Sequence, residues 1–105
     1  MGMDLSIKTT NDGGTTLVSV VGEVDVSNAS ELREALDAAL AQEPAGITAD
    51  LAQVAYIDST GIGVLVGAAT RSAEANVAFA VANPQPNVRR VLGLLGVEGQ
   101  LNITD

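Results

Sequence analysis

Apolar and polar residues alternate early in the chain and then change period, and that change predicts most of the architecture. Asp4 to Thr10 alternate as a half-buried strand does, Asn11-Asp12-Gly13-Gly14 is a turn signal, and Thr15 to Val21 is rich in β-branched residues. Together they predict a β-hairpin. The period then lengthens: Leu32, Ala35, Leu36, Ala39 and Leu40 fall at helical spacing. Ser27 or Asn28 can cap that helix, Glu31 and Glu34 suit its first turns, and it should end near Gln42, before Pro44. Ile47 to Leu51 reads as a short strand, and Ser59 or Thr60 opens a second helix that runs to about Ser72. Val77 to Val81 follows as a buried strand. Pro84 and Pro86 introduce a third helix carrying Val88, Val91, Leu92 and Leu95, which Gly96 terminates; Leu101 to Ile103 is a candidate last strand. Strands separated by helices require right-handed crossovers, so the expected fold class is α/β, with a mixed, mostly parallel sheet, an N-terminal hairpin and helices packed on it.

Composition narrows what such a fold could do. The 105 residues suffice for one domain, 1–105, with one modest core, and a 47% hydrophobic, 17% charged balance is that of a chain that folds alone. Thirteen acidic against five basic residues give a net charge of -8, which opposes direct binding to nucleic acid or an anionic membrane. Cys and His are both absent. That removes thiolate chemistry, the usual neutral-pH general base and the commonest metal ligand, so no catalytic residue, metal or cofactor is expected. With no leader-like or membrane-spanning run in the sequence, the protein is expected in the cytoplasm, and its acidic surface and single domain make a monomer the expected state.

The chemistry-bearing stretch is DSTGIG, Asp58 to Gly63, ahead of an almost wholly apolar run. It resembles an aspartic protease signature superficially, but two hydroxyl residues separate Asp58 from Gly61, and no second copy supplies the partner carboxylate. Serine hydrolysis at Ser59 lacks a base, since there is no His and Lys8, the only lysine, falls on a predicted edge strand. Gly61, Gly63 and Gly67 lie within the predicted helix rather than before it, and the Lys-Ser/Thr of a phosphate-binding loop is missing. Taken alone, the residues fit a helix start: Asp, Ser and Thr accept from first-turn amides, and Gly61 and Gly63 let the helix pack closely on the sheet. A site remains open as well, because two hydroxyls sit together where open α/β sheets tend to place their ligands.

YIDSTGIGVLVGA, Tyr56 to Ala68, resembles the signature of the STAS domain in bacterial anti-sigma factor antagonists. VVGEVDVSNASELREAL, from Val20 to Leu36, is similar to that family's Gly-Glu-Leu/Val-Asp segment and first helix. ADLAQVAYID resembles the strand leading to the signature, and PNVRRVLGLLGVEGQLNI, from Pro86 to Ile103, its closing helix and strand. The likeness covers nearly the whole chain in one register. Gly93 and Leu95 depart from the family's usual residues in the last helix, and Asn76 stands in a turn often made by Gly, a change Asn tolerates.

The resemblance implies a switch rather than an enzyme. In that family the serine directly after the aspartate, by position Ser59, is phosphorylated by the anti-sigma factor, itself a serine kinase of the histidine-kinase-like ATPase fold. The unphosphorylated antagonist binds the anti-sigma factor and releases the sigma factor; the phosphorylated one lets go until a PP2C-type serine phosphatase restores it. On that basis the implied partner-binding residues are Asp25, Asp58, Ser59, Thr60 and Gly61, in transcription regulation by partner switching, as in stress responses. Two other readings stand beside it: a structural STAS scaffold or transporter-associated subunit, with DSTG only a cap, and a nucleotide-binding STAS module. Thr60 is expected to cap the helix and Asp50 to bond its local turn. Asp25 is either a loop aspartate or part of the partner face. Glu23 is expected to be solvated or structural, Arg89 and Arg90 to lie on a solvated helix face, and Tyr56 and Phe79 to be packing residues.

Overall fold

The computed structural model describes residues 5–104, and the fold class is the expected one. Strand β1 (Ser6–Asp12) turns into β2 (Thr15–Val24) through Gly13 and Gly14, with φ of 59° and 91°. Two consecutive positive φ values make the tight hairpin loop whose twist matches that of the strands, and two glycines adopt it without strain. The predicted strand start at Asp4 lies outside the described residues. Helix α1 (Ala29–Ala41) leads to β3 (Gly46–Ile57), helix α2 (Ser59–Glu74) to β4 (Ala78–Ala82), and α3 (Pro86–Leu94) and the short α4 (Glu98–Leu101) close the chain.

The strands lie in the order β1-β2-β3-β4, the first pair antiparallel and the others parallel. Two parallel crossovers of the same hand place α1 and α2 side by side: α1 packs on β1 and β2, α2 on β3 and β4. Val18, Val20 and Val24 of β2 and Ala49, Leu51 and Val54 of β3 meet Leu32 and Leu36 of α1 and Ile62 and Leu65 of α2 in one buried core. Helix ends follow their local chemistry. Asn76, at φ 60°, closes α2 with Asn76 N–H to Ala73 C=O and Val77 N–H to Ser72 C=O; Gly96, at φ 71°, repeats the arrangement after α3.

Three expectations need correction. Leu101 to Ile103 is not a strand: Leu101 ends α4, Asn102 turns left-handed at φ 49°, and one bridge, Ala82 to Thr104, is what remains of sheet pairing there. Strand β3 runs six residues past Leu51, because its buried positions change spacing to Leu51, Val54 and Ile57 where its register against β2 shifts. Ala52 N–H bonds the Asp50 carboxylate there, and the side-chain amides of Gln85 and Asn87 donate to the Ala52 and Ala55 carbonyls, so the strand lacks a strict two-residue period. The same shift turns Tyr56 outward, 50% exposed, whereas Phe79 is buried as expected.

Candidate functional site: the Asp58 to Gly61 junction

Asp58 lies between the last residue of β3 and the first of α2, with its backbone extended at φ -94° and ψ -178°. Its carboxylate accepts from Gly61 N–H at 3.0 Å and its carbonyl from Ile62 N–H at 3.0 Å. Asp58, rather than Ser59 or Thr60, is therefore the N-cap. Thr60, the expected cap, is an exposed second residue of the helix. Ser59, the first helical residue, is exposed too, and among the described residues no hydrogen bond engages its hydroxyl. With the Gly61 and Ile62 amides taken by Asp58, the Ser59 and Thr60 amides are the first-turn donors left without a helical acceptor.

Gly61 is where the helix touches the sheet. A Cβ at this position would lie 2.7 Å from both Ile57 Cγ1 and Val24 Cγ1, two buried β-branched side chains. The glycine lets α2 start directly over the strand ends. Gly63, expected to serve the same purpose, does not: nothing lies within 4 Å of its would-be Cβ, and it is exposed.

Asp25 comes alongside through the sheet. Val24 and Ile57 are register partners, and Asp58 N–H donates to the Val24 carbonyl at 3.0 Å, so Asp25 and Asp58 leave neighbouring strands at the same edge. The Asp25 carboxylate accepts from the Ser27 hydroxyl and from Ser27 N–H (2.9 Å). These two donors, the hydroxyl first, hold its pKa below the ordinary value for an aspartate. Asn28, at the α1 N-cap position, makes no side-chain cap bond. Its amide instead accepts from Asp25 N–H (2.9 Å) and donates to the Glu23 carbonyl (2.9 Å), tying the loop to the end of β2. Asp-x-Ser-Asn at a strand end is the sequence signal for this lock. Val26, directly after Asp25, is a large apolar side chain left 76% exposed, close along the chain to the junction as Tyr56 is.

The junction thus brings together Asp25, Asp58, Ser59, Thr60 and Gly61, two carboxylates and two exposed hydroxyls over a close-packed glycine. Among the described residues it assembles no free base against Ser59: Lys8 lies on β1, the Asp58 carboxylate is occupied as a cap, and the Asp25 carboxylate accepts from Ser27. Gly61, Gly63 and Gly67 all lie inside α2, so no glycine loop precedes the helix to cradle a phosphate. Among the described residues no cluster of three or more acidic groups could hold a metal, and no helix is long and apolar enough to cross a membrane.

These features define a STAS fold, and the chain belongs to the STAS domain family, whose profile matches residues 6–105. Several of its relatives are named as anti-sigma factor antagonists. The anti-sigma-B factor antagonist of Listeria monocytogenes is 43% identical over 51 residues, 49% of this chain and 45%, about half, of that protein's length. The anti-sigma-B factor antagonist of Bacillus subtilis is 28% identical over 102 residues, 97% of this chain and 93% of that one. A crystal structure of an anti-sigma factor antagonist from Mycobacterium paratuberculosis superposes with a TM-score of 0.89 at 26% identity, covering 96% of this chain and 86% of that one.

Proposed function

We propose that the protein is an anti-sigma factor antagonist switched by phosphorylation of Ser59. The observation that carries the reading is the placement of that hydroxyl: first residue of a 16-residue helix, exposed, hydrogen-bonded to nothing among the described residues, and held there by a cap and a glycine on either side. The kinase is an anti-sigma factor of the histidine-kinase-like ATPase fold that brings its own Mg-ATP, and a PP2C-type phosphatase reverses the step. The protein is substrate and ligand rather than catalyst, and it acts in the cytoplasm.

Electrostatics separates the effect on the fold from the effect on the partner. A phosphoryl group adds about -1.5 to -2 charge. At the start of α2 that charge meets the positive end of the helix and the free Ser59 and Thr60 amides, so the fold tolerates it. At the outer surface it adds to Asp58 and Asp25. A partner that docks against the unmodified junction then faces a desolvated, concentrated anion, and such mismatches cost several kcal/mol, enough to shift affinity by orders of magnitude.

The test is intact-mass analysis after incubation with Mg-ATP and an extract from the source organism, with phosphatases inhibited. The expected result is one phosphoryl group on the wild type and on Thr60→Ala, and none on Ser59→Ala. A group mapped to Thr60, or no modification in an extract that phosphorylates another antagonist, overturns the switch and leaves DSTG a structural helix start.

A further inference from the structure

Among the described residues, three of the sheet's four exposed borders are closed by hydrogen bonds and one is not. Along β4, Asn102 Nδ2 donates to the Phe79 carbonyl (2.9 Å) and Thr104 N–H to the Val81 carbonyl (2.9 Å). Where β3 outruns β4, Gln85 and Asn87 cover it. Where β2 outruns β1, Asn28 takes the Glu23 carbonyl. The outer edge of β1 has no such cover among the described residues, and its seven residues are exposed except for half-buried Ile7. A two-residue hairpin closes on a doubly hydrogen-bonded pair, here Asp12 and Thr15, so Asp12, Thr10, Lys8 and Ser6 bond inward. Ile7, Thr9 and Asn11 therefore point their N–H and C=O groups outward.

We propose that this edge pairs with β1 of a second copy of the chain, antiparallel about Thr10, so that Lys8 of each copy lies opposite Asp12 of the other. Charge selects the register. Pairing about Lys8 or about Asp12 would set like charges face to face, and pairing about Thr9 would leave both without a partner. Pairing about Thr10 joins both unlike pairs at once and makes Thr9 and Asn11 reciprocal hydrogen-bonded partners. The flank of the edge is also suited to a close neighbour. A groove of about 260 Å³ runs between β1 and α1, lined by Thr9 and Asn11 on one side and Ala35, Ala38 and Ala39 on the other. The two-fold axis brings two such grooves together over small side chains. Thr10 pairs with Leu17 of β2, seven residues and so roughly 23 Å along the strand from Val24, which leaves the Asp58 to Gly61 junction of both copies open. With one short edge and a net charge of -8 on each copy, the dimer is weak and strengthens as salt screens the overall repulsion.

The chain's lack of cysteine permits a direct test. Thr10 faces its own copy in a non-hydrogen-bonded pair, with Cα atoms about 4.5 Å apart, within the range a disulfide spans. Thr10→Cys should therefore oxidise to a covalent dimer faster than Ser30→Cys, an exposed control on α1. In sedimentation across a concentration series, Lys8→Glu should weaken dimerisation about tenfold or more, since two attractive pairs become repulsive, and Lys8→Asp combined with Asp12→Lys should restore it. A wild type that stays monomeric at the highest concentration and salt overturns the proposal. So does a dimer insensitive to Lys8→Glu, or one in which Thr10→Cys crosslinks no faster than the control.

Discussion

Gly61→Ala and Gly63→Ala make the same chemical change two residues apart in α2, and the structure predicts opposite signs. At Gly63 a methyl group meets nothing within 4 Å, so the substitution only gains helix propensity, about 0.5–1 kcal/mol. At Gly61 the methyl would sit 2.7 Å from Ile57 Cγ1 and Val24 Cγ1 and 3.0 Å from Ile57 Cδ1. Those atoms belong to branched side chains 3% and 0% exposed, with little rotamer freedom to yield, so the helix start must lift from the sheet by most of an ångström. Overpacking of that kind costs about 1–3 kcal/mol, and the propensity gain, small in a first turn, leaves a net loss of about 1–2 kcal/mol. Urea unfolding reads both. With a slope of roughly 1–1.5 kcal/mol per M, the midpoint should fall by about 1 M for Gly61→Ala and rise by about 0.5 M for Gly63→Ala. Val24→Ala, which removes one of the clashing atoms, should cost less in the Gly61→Ala background than in the wild type. A Gly61→Ala midpoint equal to or above the wild type would refute the close-packing account.

Further consequences can be read in the same way. Asp58→Ala removes the acceptor for Gly61 N–H and should lower stability by about 1 kcal/mol in thermal or urea unfolding, whereas Asp58→Asn, which keeps the acceptor, should lose much less; equal losses would mean that charge rather than capping matters. Glu43 ends α1 at φ 52°, a left-handed conformation it adopts at a cost and with its negative charge at the negative helix end, so Glu43→Gly should stabilise by about 0.5–1 kcal/mol, and no rise in midpoint would count against that strain. The lowered pKa of Asp25 contributes stability above the unfolded-state value, near 3.8, that is lost as pH falls through the folded value. Ser27→Ala removes the largest cause, so the Asp25 carboxyl, followed by NMR, should titrate at higher pH than in the wild type, and an unchanged titration would rule out the Ser27 hydroxyl as the cause.

The legible parts of the fold are those where one local rule acts alone. Gly13-Gly14 between alternating runs forms the hairpin, Leu32 and Leu36 mark the buried face of α1, and Gly96 ends α3, all as their types and spacing demand. The second half of β3 was legible from the resemblance of ADLAQVAYID to a strand but not from its period, because its pairing is supplied from far along the chain: Gln85 and Asn87 satisfy Ala52 and Ala55, and the shifted register turns Tyr56 out. The last segment misled for a related reason. LNI carries strand-forming residues, but Asn102 turns left-handed to place its amide on the Phe79 carbonyl, leaving one residue, Thr104, to bridge the sheet. At the junction, the residues were legible but their division of labour was not. Asp, Ser and Thr are all good caps, and which of them caps depends on where the strand stops.

That division bears on how the proposed switch would sit on a small domain without unfolding it. Asp58 and Gly61 are committed to the fold, one by two accepted hydrogen bonds and the other by contact with Ile57 and Val24. Asp25 is likewise committed, to Ser27 and, through its backbone, to Asn28. Ser59 lies among these fixed residues yet shares none of their bonds, so its hydroxyl can be modified or removed without disturbing the cap, the close packing or the neighbouring loop. A substitution series should therefore divide in two. Changes at Asp58 and Gly61 move the unfolding midpoint. Ser59→Ala should leave the midpoint within about 0.5 kcal/mol of the wild type, as exposed substitutions away from caps and cores do, while abolishing phosphorylation. If Ser59→Ala instead destabilised the protein as much as Asp58→Ala, the hydroxyl would belong to the helix cap, and the separation between a rigid frame and a free acceptor would fail.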